Sequence, residues 1–314
     1  MSIAVCLLLY SVAVLIFGPR LLRRLTRTGY APRLAITAWL AAIVSVLGTW
    51  TSAAALIVID VVRHWNPPAV VLAACAARLH AMLIGQAGAA AQVGLLALSA
   101  AGSIAAAALG VRLARTLIRL RDTAHEHAYA VHMVGRRTAE GDVMVLEAPE
   151  AAAYCVAGRP SAIVLTTGAL AILDDAQVAA ILAHERAHLA GHHPQLVSVL
   201  RALADVFPRV RLMTDGSAQI SRLLEMCADD SAARHHGRGV LLSGLMDLAG
   251  TVPAAAVGAA NVAVLDRAER LLTPPGPPAR AWVRIALTMC VAAISAGPLV
   301  TIALATSGAL LCSP

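Results

Sequence analysis

His184-Glu185-Arg186-Ala187-His188 reads HExxH. On an α-helix, residues i and i+4 lie on one face, so two imidazoles can hold one zinc ion while the carboxylate beside the first points at the water on that ion. A catalytic zinc takes three protein groups and keeps a fourth position open. The third group is not another histidine six residues after His188: Gly191 is in register for such a motif, but that position is Pro194, and His192 and His193 are out of register. A carboxylate on a later helix is the alternative, and Glu225-Met226-Cys227-Ala228-Asp229 supplies it. Glu225 and Asp229, at i and i+4, share a face. Glu225 is thus the third ligand, and Asp229 accepts the N–H of a ligand histidine, which fixes its tautomer. Asp230 competes for that role, and the ExxAD register favours Asp229. Arg222, one turn before Glu225, is placed to steady the carboxylates. One Zn2+ per chain, with Glu185 as the base, follows from this set.

Around the motif the chain reads as a small α+β unit. Short β-like runs fall at Val143–Glu147, Tyr154–Val156 and Ala162–Thr166, with Gly158-Arg159-Pro160 as a turn. Asp174 or Asp175 caps a helix that runs to about His192 and stops at Pro194. Helices follow over about Gln195–Phe207, Ser217–Arg234 and the amphipathic Asn261–Leu272. A stiff Thr273-Pro274-Pro275-Gly276-Pro277-Pro278 linker comes next. This polar interval, residues 112–281, holds nine of the eleven histidines and most of the acidic residues. It is the expected peptidase domain.

Taken whole, the chain of 314 residues is unlike a water-soluble one: 59% is hydrophobic, 14% is charged and the mean hydropathy is +0.74, against roughly 25% charged in soluble domains. Four stretches, about 2–18, 34–62, 86–111 and 282–311, approach the roughly 20 apolar residues that cross a bilayer. The first has its arginines after the apolar run, the reverse of a signal peptide, and reads as an uncleaved anchor. Arg20, Arg23, Arg24, Arg27 and Arg33 fill the first loop, and Arg112, Arg115, Arg119, Arg121, Arg136 and Arg137 follow the third span. The positive-inside rule makes both of these regions cytoplasmic and puts the N- and C-termini outside. The segment Val70–Leu83, broken by Arg78 and His80, reads as an outside loop or interfacial helix, with a fifth span as the lesser possibility. The expected architecture is mainly α: a polytopic protein of the plasma membrane with three spans in residues 1–111, an inserted zincin-like α+β peptidase domain over 112–281, and a fourth span with the C-terminus in 282–314. With aromatic residues at 3% there is little to stack bases, which argues against direct nucleic-acid binding. Six cysteines without a CxxC pair suggest neither a zinc ribbon nor a disulfide framework.

HExxH, the ExxAD helix and the preceding Val164-Leu165-Thr166-Thr167-Gly168 together resemble the membrane-bound gluzincin peptidases. Two branches are candidates: the HtpX and CAAX-prenyl-protease branch, and the BlaR/MecR signal transducers. Three spans, a peptidase domain and a fourth span is the BlaR/MecR layout, and HERAHLAGHHP with EMCADDSAA is similar to short actinobacterial-type members of that branch. The resemblance covers about Ala153–Arg234. It implies His184, His188 and Glu225 as zinc ligands, Glu185 as catalytic base and Asp229 behind them. It also implies a protein substrate, a cytoplasmic repressor of the BlaI type. Two features depart from BlaR/MecR receptors: the chain is expected to lack their penicillin-binding sensor domain, and Cys227 stands one position early for their ExxCD helix, closer to the HtpX pattern.

Competing readings attach to several residues. His192 and His193 suit a helix C-terminus, where the dipole favours them. His235 and His236 sit at a helix end, where they can donate to an oxyanion or simply be exposed. Cys227 defaults to a buried small thiol. For the whole chain, an HtpX-like quality-control protease is the enzymic alternative. A non-enzymic membrane scaffold that keeps the zinc fold is the other, disfavoured because a structural zinc site has no need of Glu185.

Overall fold

The computed structural model describes residues 2–63, 88–250, 257–273 and 276–306. The Val70–Leu83 segment lies outside them. Helix α1 (Ser2–Thr26) runs through Pro19 and past the expected end of the first span, and α2 (Pro32–Arg63) follows after a turn at Gly29. Gly29 has φ of +62° with the Met226 side chain packed over it, a conformation that favours glycine. Helix α3 (Gly88–Val134) is continuous over 47 residues, about 70 Å at 1.5 Å per residue. It therefore joins the expected third span to the basic helix beyond it. Among the described residues three helices are long and apolar enough to cross a membrane: Ile3–Thr26, Pro32–Leu56 and Pro277–Leu304. The expected third span, residues 86–111, begins outside the described residues and adds no fourth to that count.

A four-stranded sheet follows, made of β1 (Arg136–Arg137), β2 (Val143–Leu146), β3 (Ala153–Val156) and β4 (Ala162–Thr166), in the order β1-β2-β4-β3. Strands β2 and β4 are parallel, and β3 is antiparallel to β4. Alternate side chains point to opposite faces. Met144, Val156, Ala162 and Val164 pack on Ala128 and Val131 of α3, whereas Val143, Ile163 and Leu165 face a core shared with Ala180, Ile181 and Leu241. All five residues of β4 are buried, as an inner strand covered on both faces requires.

Helix α4 (Thr167–Ile172) leads to α5 (Asp175–Ala190), which begins at a capping box: Asp174 accepts from Gln177 N, and the Gln177 side chain accepts from Asp174 N. Helices α6 (His193–Val206), α7 (Arg211–His236), α8 (Arg238–Gly250), α9 (Val257–Leu272) and α10 (Pro277–Thr306) complete the chain. Strand β1 and helices α4 and α8 have no counterpart in the sequence reading.

Two cores position the site. One holds Ile163, Leu165, Ala180, Ile181, Ala232 and Leu241 between the sheet, α5, α7 and α8. The other joins Leu22, Trp39, Ile43 and Leu287 of the apolar helices to Leu203, Leu212, Ile220 and Leu223 of α6 and α7. Helix α7 is thus wedged between the core beneath the sheet and the apolar bundle. Across the bundle, the Tyr10 hydroxyl donates to the Ile294 carbonyl at 2.7 Å.

Candidate metal centre

Helix α5 carries His184 and His188 one turn apart, both buried at 4% and 9% exposure. Their Nε2 atoms lie 3.1 Å apart. Two imidazole nitrogens at that distance need a proton or a cation between them. Glu225 on α7 faces the pair, with carboxylate oxygens 3.6 Å from His184 Nε2 and 3.5 Å from His188 Nε2. One donor atom from each of the three residues falls within 4.8 Å of the others. Two imidazoles and one carboxylate on facing helices form a zinc donor set.

The surrounding charges favour a cation. Burial opposes charge on His184, but the Asp229 and Glu225 carboxylates outweigh it and hold its pKa up, to about 9. His188, with burial dominant and little compensation, is pushed down to about 4, so it offers a neutral imidazole. Burial raises the pKa of Glu225, but His184, Arg267 and His188 overcome this and keep it low, so the carboxylate is ionised.

Glu185, next in sequence to His184, is half-buried beside the Cys155 thiol of β3. Burial raises its pKa above the usual carboxylate value, with His184 acting in the opposite direction and Glu225 adding to the rise. Cys155 itself is pushed up to about 12, by burial first and by Glu185 next, and stays a thiol.

Behind the histidines, Asp229 is fully buried, with Oδ1 3.1 Å from His184 Nδ1. The contact is close but lies off the line of a good hydrogen bond. Asp230, the competing residue, points away and pairs with Arg270 at 2.7 Å. The group that holds the carboxylates is Arg267 of α9. Its Nε donates to Asp229 Oδ2 at 2.8 Å, one terminal nitrogen donates to Oδ1 at 2.6 Å, and the other lies 3.1 Å from Glu225 Oε2. This bidentate fork, buried with Asp229, keeps the Asp229 pKa at about 2 against the rise that burial alone would cause.

Arg267 is absent from the sequence-derived site, and Arg222 is placed elsewhere. Arg222 donates to the Thr26 and Arg27 carbonyls at 2.9 and 3.2 Å, at the end of α1. His235 lies 3.0 Å from the Ser231 carbonyl of its own helix, at the exposed end of α7. His193, read from the sequence as a helix C-terminal residue out of ligand register, instead opens α6, and its Nδ1 lies 2.9 Å from His188 Nδ1, completing a His184–His188–His193 row. The only hint of Arg267 in the sequence is the amphipathic pattern of its helix, together with the rule that a buried carboxylate needs a partner cation. His193 became reachable because His192, at φ +52°, turns the chain sharply between α5 and α6.

The model of Peptidase family M48 matches residues 118–286, which span β1 to β4, both motif helices, Arg267 and the start of α10. No curated protein and no solved structure matches the chain.

Proposed function

The chain belongs to peptidase family M48, and from that premise we propose a membrane-anchored zinc endopeptidase in which His184, His188 and Glu225 hold one Zn2+ and Glu185 is the catalytic base. The observation that carries this reading is the convergence of the three donor atoms within 4.8 Å, with Glu185 alongside. Zinc held by three groups with an open fourth position supplies a water of pKa about 7 and a Lewis acid for the scissile carbonyl. Glu185 takes the proton from the attacking water and returns it to the nitrogen of the departing amine. Its raised pKa suits both halves of that task. Asp229 holds His184 from behind, and Arg267 holds Asp229.

A peptide substrate in extended form adds to an exposed sheet edge through main-chain hydrogen bonds. In the structure β4 is paired on both sides and cannot accept another strand; of the two edge strands, β1 has only two residues, which leaves β3, Ala153–Val156, as the edge for a substrate. Cys155 of β3 adjoins Glu185, so a peptide lying along β3 passes the base.

The arginine-rich α1–α2 loop touches α7 through Arg222. The basic loop and the peptidase core therefore share one side, which by the positive-inside rule is the cytoplasmic side. The substrate class favoured by the resemblance is a cytoplasmic regulatory protein, a BlaI-type repressor, with membrane-protein quality control as the enzymic alternative. New protein N-termini in cells expressing wild type and Glu185→Gln test both. Termini confined to wild type establish a peptidase, and their owners decide between a repressor and membrane proteins. Identical profiles, with zinc still bound to the variant, would overturn the proteolytic reading.

A further inference from the structure

A second concavity, separate from the metal trio, opens where the apolar helices meet the peptidase core. It is a cavity of about 570 Å³ between the α1–α2 turn, the ends of α7 and α9, and the starts of α8 and α10. Arg33, Arg234, Arg238, Arg270, Arg280 and Arg284 line it, facing one carboxylate, Asp230. Arg270 is engaged: it pairs with Asp230 at 2.7 Å and donates to the Gly29 carbonyl at 3.0 Å. The other five guanidiniums form no ion pair among the described residues. Five uncompensated like charges around one cavity repel one another and stand ready for an anion. Guanidinium forks match phosphate oxygens in pairs, and the volume lies in the range of small-molecule sites.

We propose that this cavity binds the phosphate headgroup of an anionic phospholipid. Its position selects a lipid over a soluble anion. Arg33 is the second residue of the candidate span Pro32–Leu56, and Arg280 and Arg284 stand in the first turns of Pro277–Leu304. Leu34 and Thr288, further along the same spans, continue the lining. The arginines thus ring the level at which two membrane helices emerge, where headgroups lie. Arg270, at one wall, is three residues from Arg267, which grips Glu225 and Asp229. A bound headgroup therefore packs against the same helix that holds the metal-site carboxylates. The inference rests on the membrane reading and is independent of proteolysis.

The test is thermal unfolding of the full chain in neutral detergent, titrated with phosphatidylglycerol, phosphatidylcholine or inorganic phosphate. Phosphatidylglycerol is expected to raise Tm saturably, while the other two leave it unchanged. Arg238→Gln with Arg284→Gln is expected to weaken the apparent phosphatidylglycerol affinity roughly 30-fold, about fivefold for each arginine removed near a charged membrane surface. The lipid-free Tm should not change, because neither side chain has an ion-pair partner among the described residues. The control pair Arg115→Gln with Arg119→Gln, exposed on α3, removes the same charge away from the cavity and should change the affinity less than twofold. If the double variant fails to fold, Arg238→Lys with Arg284→Lys keeps the charge, removes the fork and is expected to weaken binding several-fold. Equal effects of phosphatidylglycerol and phosphatidylcholine would overturn the site. An equal shift with inorganic phosphate would overturn its assignment to lipid. An equal loss in the control pair would show only diffuse attraction and would also overturn it.

Discussion

Replacing Arg267 with methionine is the sharpest probe of how the metal site is built. Arg267 and Asp229 have side chains only 11% and 1% exposed, so solvent screens the pair little. Methionine keeps most of the side-chain volume but leaves the Asp229 carboxylate buried without its cation. Breaking a buried pair from one side costs about 3–5 kcal/mol. For a unit the size of the M48 region, 2–4 °C per kcal/mol gives a Tm drop of roughly 6–20 °C. The assay is thermal unfolding by circular dichroism in detergent at fixed zinc, with Asp229→Leu and the double variant completing a cycle. The double variant removes both charges and should recover part of the loss, with a coupling of about 2 kcal/mol or more. Because the Asp229 carboxylate also lies 3.1 Å from His184 Nδ1, zinc affinity of Arg267→Met should fall about 10–100-fold. A destabilisation below about 1 kcal/mol, or additive single-variant losses, would refute the claim that Arg267 neutralises Asp229.

His193→Ala should weaken zinc binding about tenfold while leaving secondary structure intact, since it removes the contact behind His188; competition with a chromogenic chelator measures this. A chelator should lower Tm, and excess zinc should restore it in proportion to the logarithm of its concentration, because the ion binds only the folded site. Arg186, paired with Asp142 and Glu140 beside the motif, is about 43% exposed, so Arg186→Ala should cost no more than about 1 kcal/mol after solvent screening. Arg186 holds the Asp142 carboxyl below its ordinary value of 3.8, chiefly through their hydrogen bond. The wild-type advantage is therefore complete above that pH and fades as pH falls through the lowered folded value; denaturant midpoints of both proteins across that range check the sign.

What was legible in the sequence is what a single helix determines. His184 and His188 share a face because of the helical repeat, as do Glu225 and Asp229, and the Asp174 cap is set by the first turn it closes. Apolar length marked α1, α2 and α10 as candidate membrane helices without any tertiary information, but it also marked residues 86–111, which are not among the three candidates of the described residues. Partners brought together from distant parts of the chain were not legible. Arg267 reaches Asp229 across 38 positions of sequence, and nothing in the spacing distinguishes it from Arg222, which instead holds the end of α1. The order of the sheet was equally hidden: three short apolar runs are compatible with several pairings, and only the packing of α3 on one face and α5 on the other makes β4 central and leaves β3 at the edge. Local periodicity thus determined which residues could bind a metal together. Burial decided which charges hold them there, because a carboxylate removed from water requires a cation wherever along the chain one can be found.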